Sequence, residues 1–195
     1  MSIAVRYYSR GGNTKKLAEA IAKAVGVEAE SVDRPLDEKT DIVFLGSSVY
    51  AGGVDESVKR FLRKNQSQIG TLYNFSTSAM APSTYRQVKK LADELEITLS
   101  EWEYYCPGSF LFLNLGCPSK GDLLRASSFA KLAERRAEKA GAGMADALDT
   151  LEKAASKAAD ALSGAADAVS QTAAVVLDKT ADAAETVAEN SEKAE

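Results

Sequence analysis

The run Asp41-Ile42-Val43-Phe44-Leu45-Gly46 restricts the folds open to this chain more than any other stretch. Its large apolar residues follow one another without polar alternation. A strand with one wet face alternates. A strand without alternation is covered on both faces, as inside a parallel sheet. The flanking sequence agrees. Ser2 to Tyr8 is β-branched and aromatic and reads as a first strand. Leu17, Ile21 and Val25 then recur every four residues beside Ala18 and Ala22, the stripe of a buried helix face. Val27 to Val32 reads as a second strand, and 41–46 is the third. Val58, Phe61 and Leu62 mark a helix, Thr71 to Thr77 a fourth strand, and Tyr85 to Leu95 a helix with Val88, Leu91 and Leu95 facing in. Trp102, Tyr104 and Cys106 alternate with Glu101, Glu103 and Tyr105, which predicts a fifth strand near an edge. Ser119-Lys120-Gly121-Asp122 has the pattern of a capping box and opens a last helix. Strands alternating with helices define an α/β fold with a parallel sheet covered on both sides. Such sheets take ligands in the crevice beyond the carboxyl ends of their strands.

The first of those strand ends runs into Ser9-Arg10-Gly11-Gly12-Asn13-Thr14. Two glycines let the backbone turn tightly and bring its N–H groups close to a ligand. The helix that follows presents the positive end of its dipole. Ser9, Asn13 and Thr14 add polar side chains. Read from the loop alone, this either cradles a phosphate or merely reverses the chain. No Gly-Lys-Ser/Thr follows, so the loop is not a P-loop, and it is not the dinucleotide Gly-x-Gly-x-x-Gly.

The chain has no histidine, which excludes serine–histidine and cysteine–histidine hydrolases and histidine metal ligands. Cys106 and Cys117 cannot alone build a structural zinc site or a disulfide framework. They read as packing thiols of a protein in a reduced, cytoplasmic compartment. Arg6 interrupts the apolar start, so no secretory signal is expected there. The longest strictly apolar run, Ala173 to Leu177, is far short of the ~20 residues a membrane span needs.

Tyr8-Ser9-Arg10-Gly11-Gly12-Asn13-Thr14 after an N-terminal strand resembles the phosphate-binding loop of flavodoxins, whose pattern is Ser/Thr-x-Thr-Gly-x-Thr. Ser9, Gly12 and Thr14 match; Gly11 stands where the family usually has a threonine. Gly46-Ser47-Ser48-Val49-Tyr50-Ala51-Gly52-Gly53 is similar to the family's second flavin loop, and Tyr50 falls at the position that stacks on the isoalloxazine ring. Read without the family, Tyr50 is a stacking ring or a surface tyrosine between glycines. Ser76-Thr77-Ser78-Ala79-Met80 corresponds to the loop that closes over the other side of the flavin. Tyr85 and Met80 are rival candidates for that ring face. The stretch from Cys106-Pro107-Gly108-Ser109-Phe110 to Gly116-Cys117-Pro118 also looks like the tail end of small bacterial flavodoxin-like proteins.

The resemblance covers residues 1 to about 138. It implies a flavodoxin-like, doubly wound five-stranded sheet in the order 2-1-3-4-5 with FMN at its carboxyl edge. The cofactor-binding residues it implies are Ser9, Arg10, Gly11, Gly12, Asn13, Thr14, Ser48, Val49, Tyr50, Ala51, Gly52, Thr77, Ser78 and Ala79. Arg10 is a departure from a phosphate site that is often neutral; its guanidinium either pairs with phosphate or points to water. A mildly basic domain is a second departure, because electron-carrier flavodoxins tend to be strongly acidic.

That basic character emerges when the net charge of −4 is divided. Residues 1–140 hold 20 Lys+Arg and 17 Asp+Glu, giving +3; residues 141–195 hold 4 and 11, giving −7. The second segment has 18 alanines and no aromatic residue or proline. It reads as a distinct Ala-rich, acidic helical or semi-ordered extension, joined at Gly141-Ala142-Gly143. Met144, Leu148, Leu151, Ala155, Ala158, Leu162, Ala165, Val169, Thr172 and Val176 follow a heptad spacing, loosely continued by Ala183 and Val187. Gly164 interrupts it at about 1 kcal/mol relative to alanine. Such a stripe suits self-association or a partner helix through 144–188, or is a solvated tail; neither nucleic acid nor an anionic membrane suits its charge.

Three functions are compatible with these features. The first is an electron carrier that holds FMN and serves redox partner proteins. The second is an FMN-dependent NAD(P)H or quinone oxidoreductase on the same fold. The third is a cofactor-free interaction protein acting through the C-terminal helices.

Overall fold

The elements follow the order β1 (Ile3–Tyr7), α1 (Asn13–Val25), β2 (Ala29–Ser31), β3 (Thr40–Ser48), α2 (Glu56–Asn65), β4 (Ile69–Ser78), α3 (Tyr85–Glu94), β5 (Thr98–Leu99), β6 (Tyr104–Pro107) and α4 (Lys120–Glu192). The structure, a computed structural model, describes the backbone of residues 1–48, 53–80 and 83–192, and side chains among these up to residue 157. The chain divides into two units, Met1–Lys139 and Ala140–Glu195.

In the first unit all strand pairs are parallel and the order is β2-β1-β3-β4-β5, with β6 also paired to β4. The apolar run lies in β3, between β1 and β4, with Phe44 opposite Val5 and Tyr73. Its residues divide between two cores, which explains the missing alternation. Ile42 and Phe44 pack with Leu17 and Ile21 of α1, and with Ala126, Phe129, Ala130 and Ala133 of α4. Val43 and Leu45 pack on the opposite face with Val58, Phe61 and Leu62 of α2 and Val88 and Leu91 of α3. Each such Val, Leu, Ile or Phe contributes roughly 1.5–3 kcal/mol by leaving water. The sheet is therefore doubly wound.

The fifth position in the sheet is split, where the sequence suggested one strand through Trp102. Thr98 and Leu99 pair with Thr71 and Leu72, and Tyr104–Pro107 pair with Phe75–Ser78. Trp102 lies between the two pieces, is exposed, and carries the Arg136 guanidinium 4.6 Å from its ring centroid. The N-terminus of α4 is a reciprocal cap. Asp122 Oδ2 accepts from the Ser119 N–H at 2.8 Å, and the Asp122 N–H donates to Ser119 Oγ at 3.2 Å.

In the second unit the backbone is helical to Glu192, including Gly141, Ala142 and Gly143, which the sequence suggested as a joint. Met144, Leu148 and Leu151 of the heptad stripe are exposed. The side chains of its continuation from Ala158 lie outside the described residues.

Candidate functional site

The loop after β1 hands the chain to α1 with no side-chain cap. Gly12 is the N-cap, at φ 80°, a left-handed conformation that favours glycine. The first helical bond is Lys16 N–H to Gly12 O at 3.1 Å, so the amides of Asn13, Thr14 and Lys15 precede the helical ladder. No acidic residue occupies the first turn. An uncapped helix start with that field suits an anion.

Three strand ends meet beneath this loop. Thr14 Oγ1 lies 2.6 Å from Ser48 Oγ and 2.9 Å from Thr77 Oγ1, and Ser48 Oγ and Thr77 Oγ1 are 2.9 Å apart. Each hydroxyl can donate once and accept from a neighbour, so the triangle satisfies itself, with Thr14 and Thr77 buried and Ser48 half-buried at the cavity wall. It ties the starts of α1 and the ends of β3 and β4 together. Two glycines make the approach possible. A Cβ on Gly46 would overlap the Phe75 ring, and one on Gly108 would lie 3.1 Å from Thr77 Cβ and 3.2 Å from Asn13 Nδ2. Asn13 itself donates to Ser109 O at 2.7 Å and accepts from Ser109 Oγ at 3.1 Å. The segment after β6 is thereby bound to the glycine loop.

Arg10 does not point simply to water. Its guanidinium donates to Asp55 Oδ2 at 2.6 Å and to Tyr8 Oη at 3.2 Å. Asp55 is the N-cap of α2 and accepts from the Ser57 N–H at 3.0 Å. That backbone bond, with help from Arg10, holds the Asp55 carboxyl down at about 2. The hydrogen bonds that Arg10 donates, first to Tyr8 and then to Asp55, raise its own pKa.

These groups surround a cavity of about 770 Å³ at the carboxyl edge of the sheet. Of the residues the sequence assigned to the site, Ser9, Arg10, Gly11, Asn13, Ser48, Thr77, Ser78 and Ala79 line it. Gly12 and Thr14 lie in the helix start that supports it. Val49, Tyr50, Ala51 and Gly52 lie outside the described residues. Met80 lines the cavity, whereas Tyr85 starts α3 and donates its hydroxyl to Ser100 O at 3.1 Å. The lining also includes Asp55, Gly108, Ser109 and Phe110, which the sequence reading left out of the site. Cys106, under this edge, is buried, and burial pushes its thiol up to about 12. Its place in the core beside the α1 and α4 face makes it a packing group.

Beyond Ser109 the chain makes a tight antiparallel turn. Phe110 N–H donates to Leu113 O at 3.0 Å and Leu113 N–H to Phe110 O at 2.9 Å. Leu111 has φ 51° and Asn114 φ 53°, both left-handed. For a leucine this conformation costs roughly 1–2 kcal/mol. Asn114 Nδ2 holds the turn by donating to Ala79 O at 3.0 Å.

The geometry defines a class: an open, doubly wound α/β domain with an uncapped helix start and a cavity at its sheet's switch point. A family model described as a flavodoxin domain matches residues 4–101, about half of the chain. The chain belongs to the flavodoxin domain family. An uncharacterized protein of Methanocaldococcus jannaschii is 27% identical over 132 residues, covering 61% of this chain and 88% of that protein. Among solved structures, a flavodoxin from the domain Archaea superposes with a TM-score of 0.60 at 19% identity, covering 71% of this chain and 99% of that one. Flavodoxin 1 of Bacillus cereus superposes with a TM-score of 0.53 at 16% identity, covering 67% and 95%. Rubredoxin oxygen:oxidoreductase of Desulfovibrio gigas gives 0.56 at 12% identity, covering 70% of this chain and 36% of the enzyme. At these identities the superpositions establish the shared fold.

Proposed function

We propose that this protein binds FMN in the cavity beside the glycine loop and carries electrons between redox partner proteins in the cytoplasm. The observation that carries the reading is the uncapped start of α1 behind Gly11 and Gly12, opening into a cavity of about 770 Å³. That volume is of the size that small-molecule cofactors occupy. The donor set fits the ligand. Amides at the helix start and the Ser9 hydroxyl suit a phosphate, and Ala79, Met80 and Phe110 offer apolar surface on the same cavity. Tyr50 is the ring-stacking residue that the family resemblance implies.

Bound FMN supplies the electron chemistry, and the protein supplies grip, orientation and electrostatics. Ser48 and Thr77 hold the strand ends at fixed spacing through Thr14. The Arg10–Asp55 pair places a positive group at the loop while cancelling most of its net charge. Because residues 1–140 are net +3, partners are not selected here by a strongly acidic domain.

The same charge supports a second reading, an FMN-dependent NAD(P)H or quinone oxidoreductase. Purification should yield a yellow protein with an oxidised-flavin spectrum. A carrier should not oxidise NADPH with quinone as sole catalyst; steady turnover would assign the enzyme reading. A colourless protein that takes up no FMN would favour a cofactor-free interaction protein acting through residues 144–188.

A further inference from the structure

We propose that the turn from Phe110 to Leu115 docks this protein peripherally on a lipid bilayer. The turn is a convex apolar tip. Phe112 is 91% exposed, Leu115 74% and Leu111 73%, with Phe110 and Leu113 also exposed. Exposed single apolar residues are ordinary, but a run of this kind on one turn marks an interaction surface. Met80, 85% exposed, extends it, because Asn114 ties the turn to Ala79 next door.

The tip is built to stay out. The paired Phe110–Leu113 bonds, the Asn114 bond to Ala79 O and the bond from Ser109 N–H to Cys117 O at 3.3 Å fix its backbone. Left-handed Leu111 holds the shape of the turn instead of relaxing to a common conformation. A preformed tip loses little conformational freedom on docking.

Chemistry favours a bilayer as the occupant. No charged residue occurs from Tyr104 to Ser119, nor from Asn65 to Tyr85, and the ionic groups that share the cavity with Phe110 and Met80, Arg10 and Asp55, are paired with each other at 2.6 Å. A protruding apolar turn needs a matching hollow in a protein partner, but none in a lipid interface. The uncharged stretch ends at exposed Lys120, whose charge complements an anionic headgroup, whereas Arg125 is already paired with Asp122 at 2.7 Å. Exposed Tyr105 in β6, the strand that leads into the tip, is a residue type that favours the interfacial layer. No helix among the described residues is long and apolar enough to cross a membrane, so the attachment is to its surface.

The test is sedimentation of the full-length protein with extruded vesicles of phosphatidylcholine, with and without phosphatidylglycerol. The wild type should pellet with both, more with the anionic vesicles, and salt should remove only that increment. Replacing Leu111→Ser and Phe112→Ser together should lower the partition coefficient at least ~tenfold. Neither side chain lines the cavity, so FMN binding and the unfolding midpoint of the double variant serve as controls. Failure of the wild type to pellet, or equal pelleting of wild type and double variant, would overturn the proposal. A dimer that the double variant abolishes, without vesicle binding, would instead assign the tip to contact between copies. Phe110 and Met80, which also line the cavity, stay in place in the double variant, so vesicle binding and flavin binding are read separately.

Discussion

Thr14 and Thr77, 63 residues apart in sequence, hold their hydroxyl oxygens 2.9 Å from each other in a buried place. With Ser48 they form the contact that fixes the glycine loop above the ends of β3 and β4. Replacing Thr14→Val keeps the shape and removes the hydroxyl. Ser48 and Thr77 would keep only each other. We expect a loss of about 1–2 kcal/mol in denaturant unfolding, with weaker FMN binding, and recovery of most of both in Thr14→Ser. An unchanged midpoint in Thr14→Val would show that the triangle is not a structural tie.

Gly46 tests the approach of α1 to the sheet. A methyl group there would overlap the fully buried Phe75 ring and lie 3.0 Å from Thr14 Cγ2. Gly46→Ala should therefore destabilise the domain by roughly 1–3 kcal/mol. Pairing it with Phe75→Leu should restore part of the loss, which chemical denaturation of the single and double variants will measure.

Much of this architecture is legible in the residues themselves. The unbroken run at Ile42–Leu45 identifies a strand between two cores, and Leu17, Ile21 and Val25 identify the helix that covers one of them. Gly11 and Gly12 announce a tight turn before a helix, while the left-handed φ of 80° at Gly12 is seen only in the structure. The division of the fifth sheet position is not legible, since Thr98 and Leu99 are too few to show a period. Nor are Asp55, Gly108 and Ser109 as site residues. Asp55 reaches the cavity through Arg10 and Ser109 through Asn13, contacts across 45 and 96 residues that no local pattern encodes. Nor does any local pattern show that Thr77 and Asn13 crowd Gly108.

The Asp55 carboxylate, held first by the Ser57 N–H and then by Arg10, carries a pH signature. The folded carboxyl, at about 2, lies below its ordinary value of 3.8, so the folded state favours the charged form. That stabilisation is complete above pH ~4 and is lost as pH falls toward about 2. Asp55→Asn keeps an N-cap acceptor but loses the charge, so its deficit against wild type should shrink across this window. Asp55→Ala should lose a further ~1 kcal/mol at every pH by removing the cap. Parallel urea titrations at stepped pH will show whether the wild-type and Asp55→Asn curves converge on the acid side.

The helical extension is expected to be dispensable for the cofactor. Among the described residues, the buried core residues of α4 are Ala126, Phe129, Ala130 and Ala133, all before the unit boundary at Lys139. Truncation after Ala140 should leave the unfolding free energy within ~0.5 kcal/mol and flavin affinity unchanged. It should alter self-association, which analytical ultracentrifugation of the two forms can compare. An insoluble truncated protein would show that residues beyond Ala140 belong to the folded domain.

Gly12 lies at the cradle itself, and a side chain at its φ of 80° is strained although no atom lies within 4 Å of a Cβ there. The decisive measurement is a fluorescence-quenching titration of the full-length protein and of Gly12→Val with FMN and with riboflavin. If α1 and the glycine loop hold the phosphate, the wild type saturates at one FMN per chain and binds riboflavin at least ~tenfold more weakly, a difference of about 1.4 kcal/mol. Gly12→Val should then erase most of the preference for FMN while riboflavin affinity changes little. Equal affinity of the wild type for the two flavins, or no saturable binding of either, would contradict a phosphate cradle at this loop.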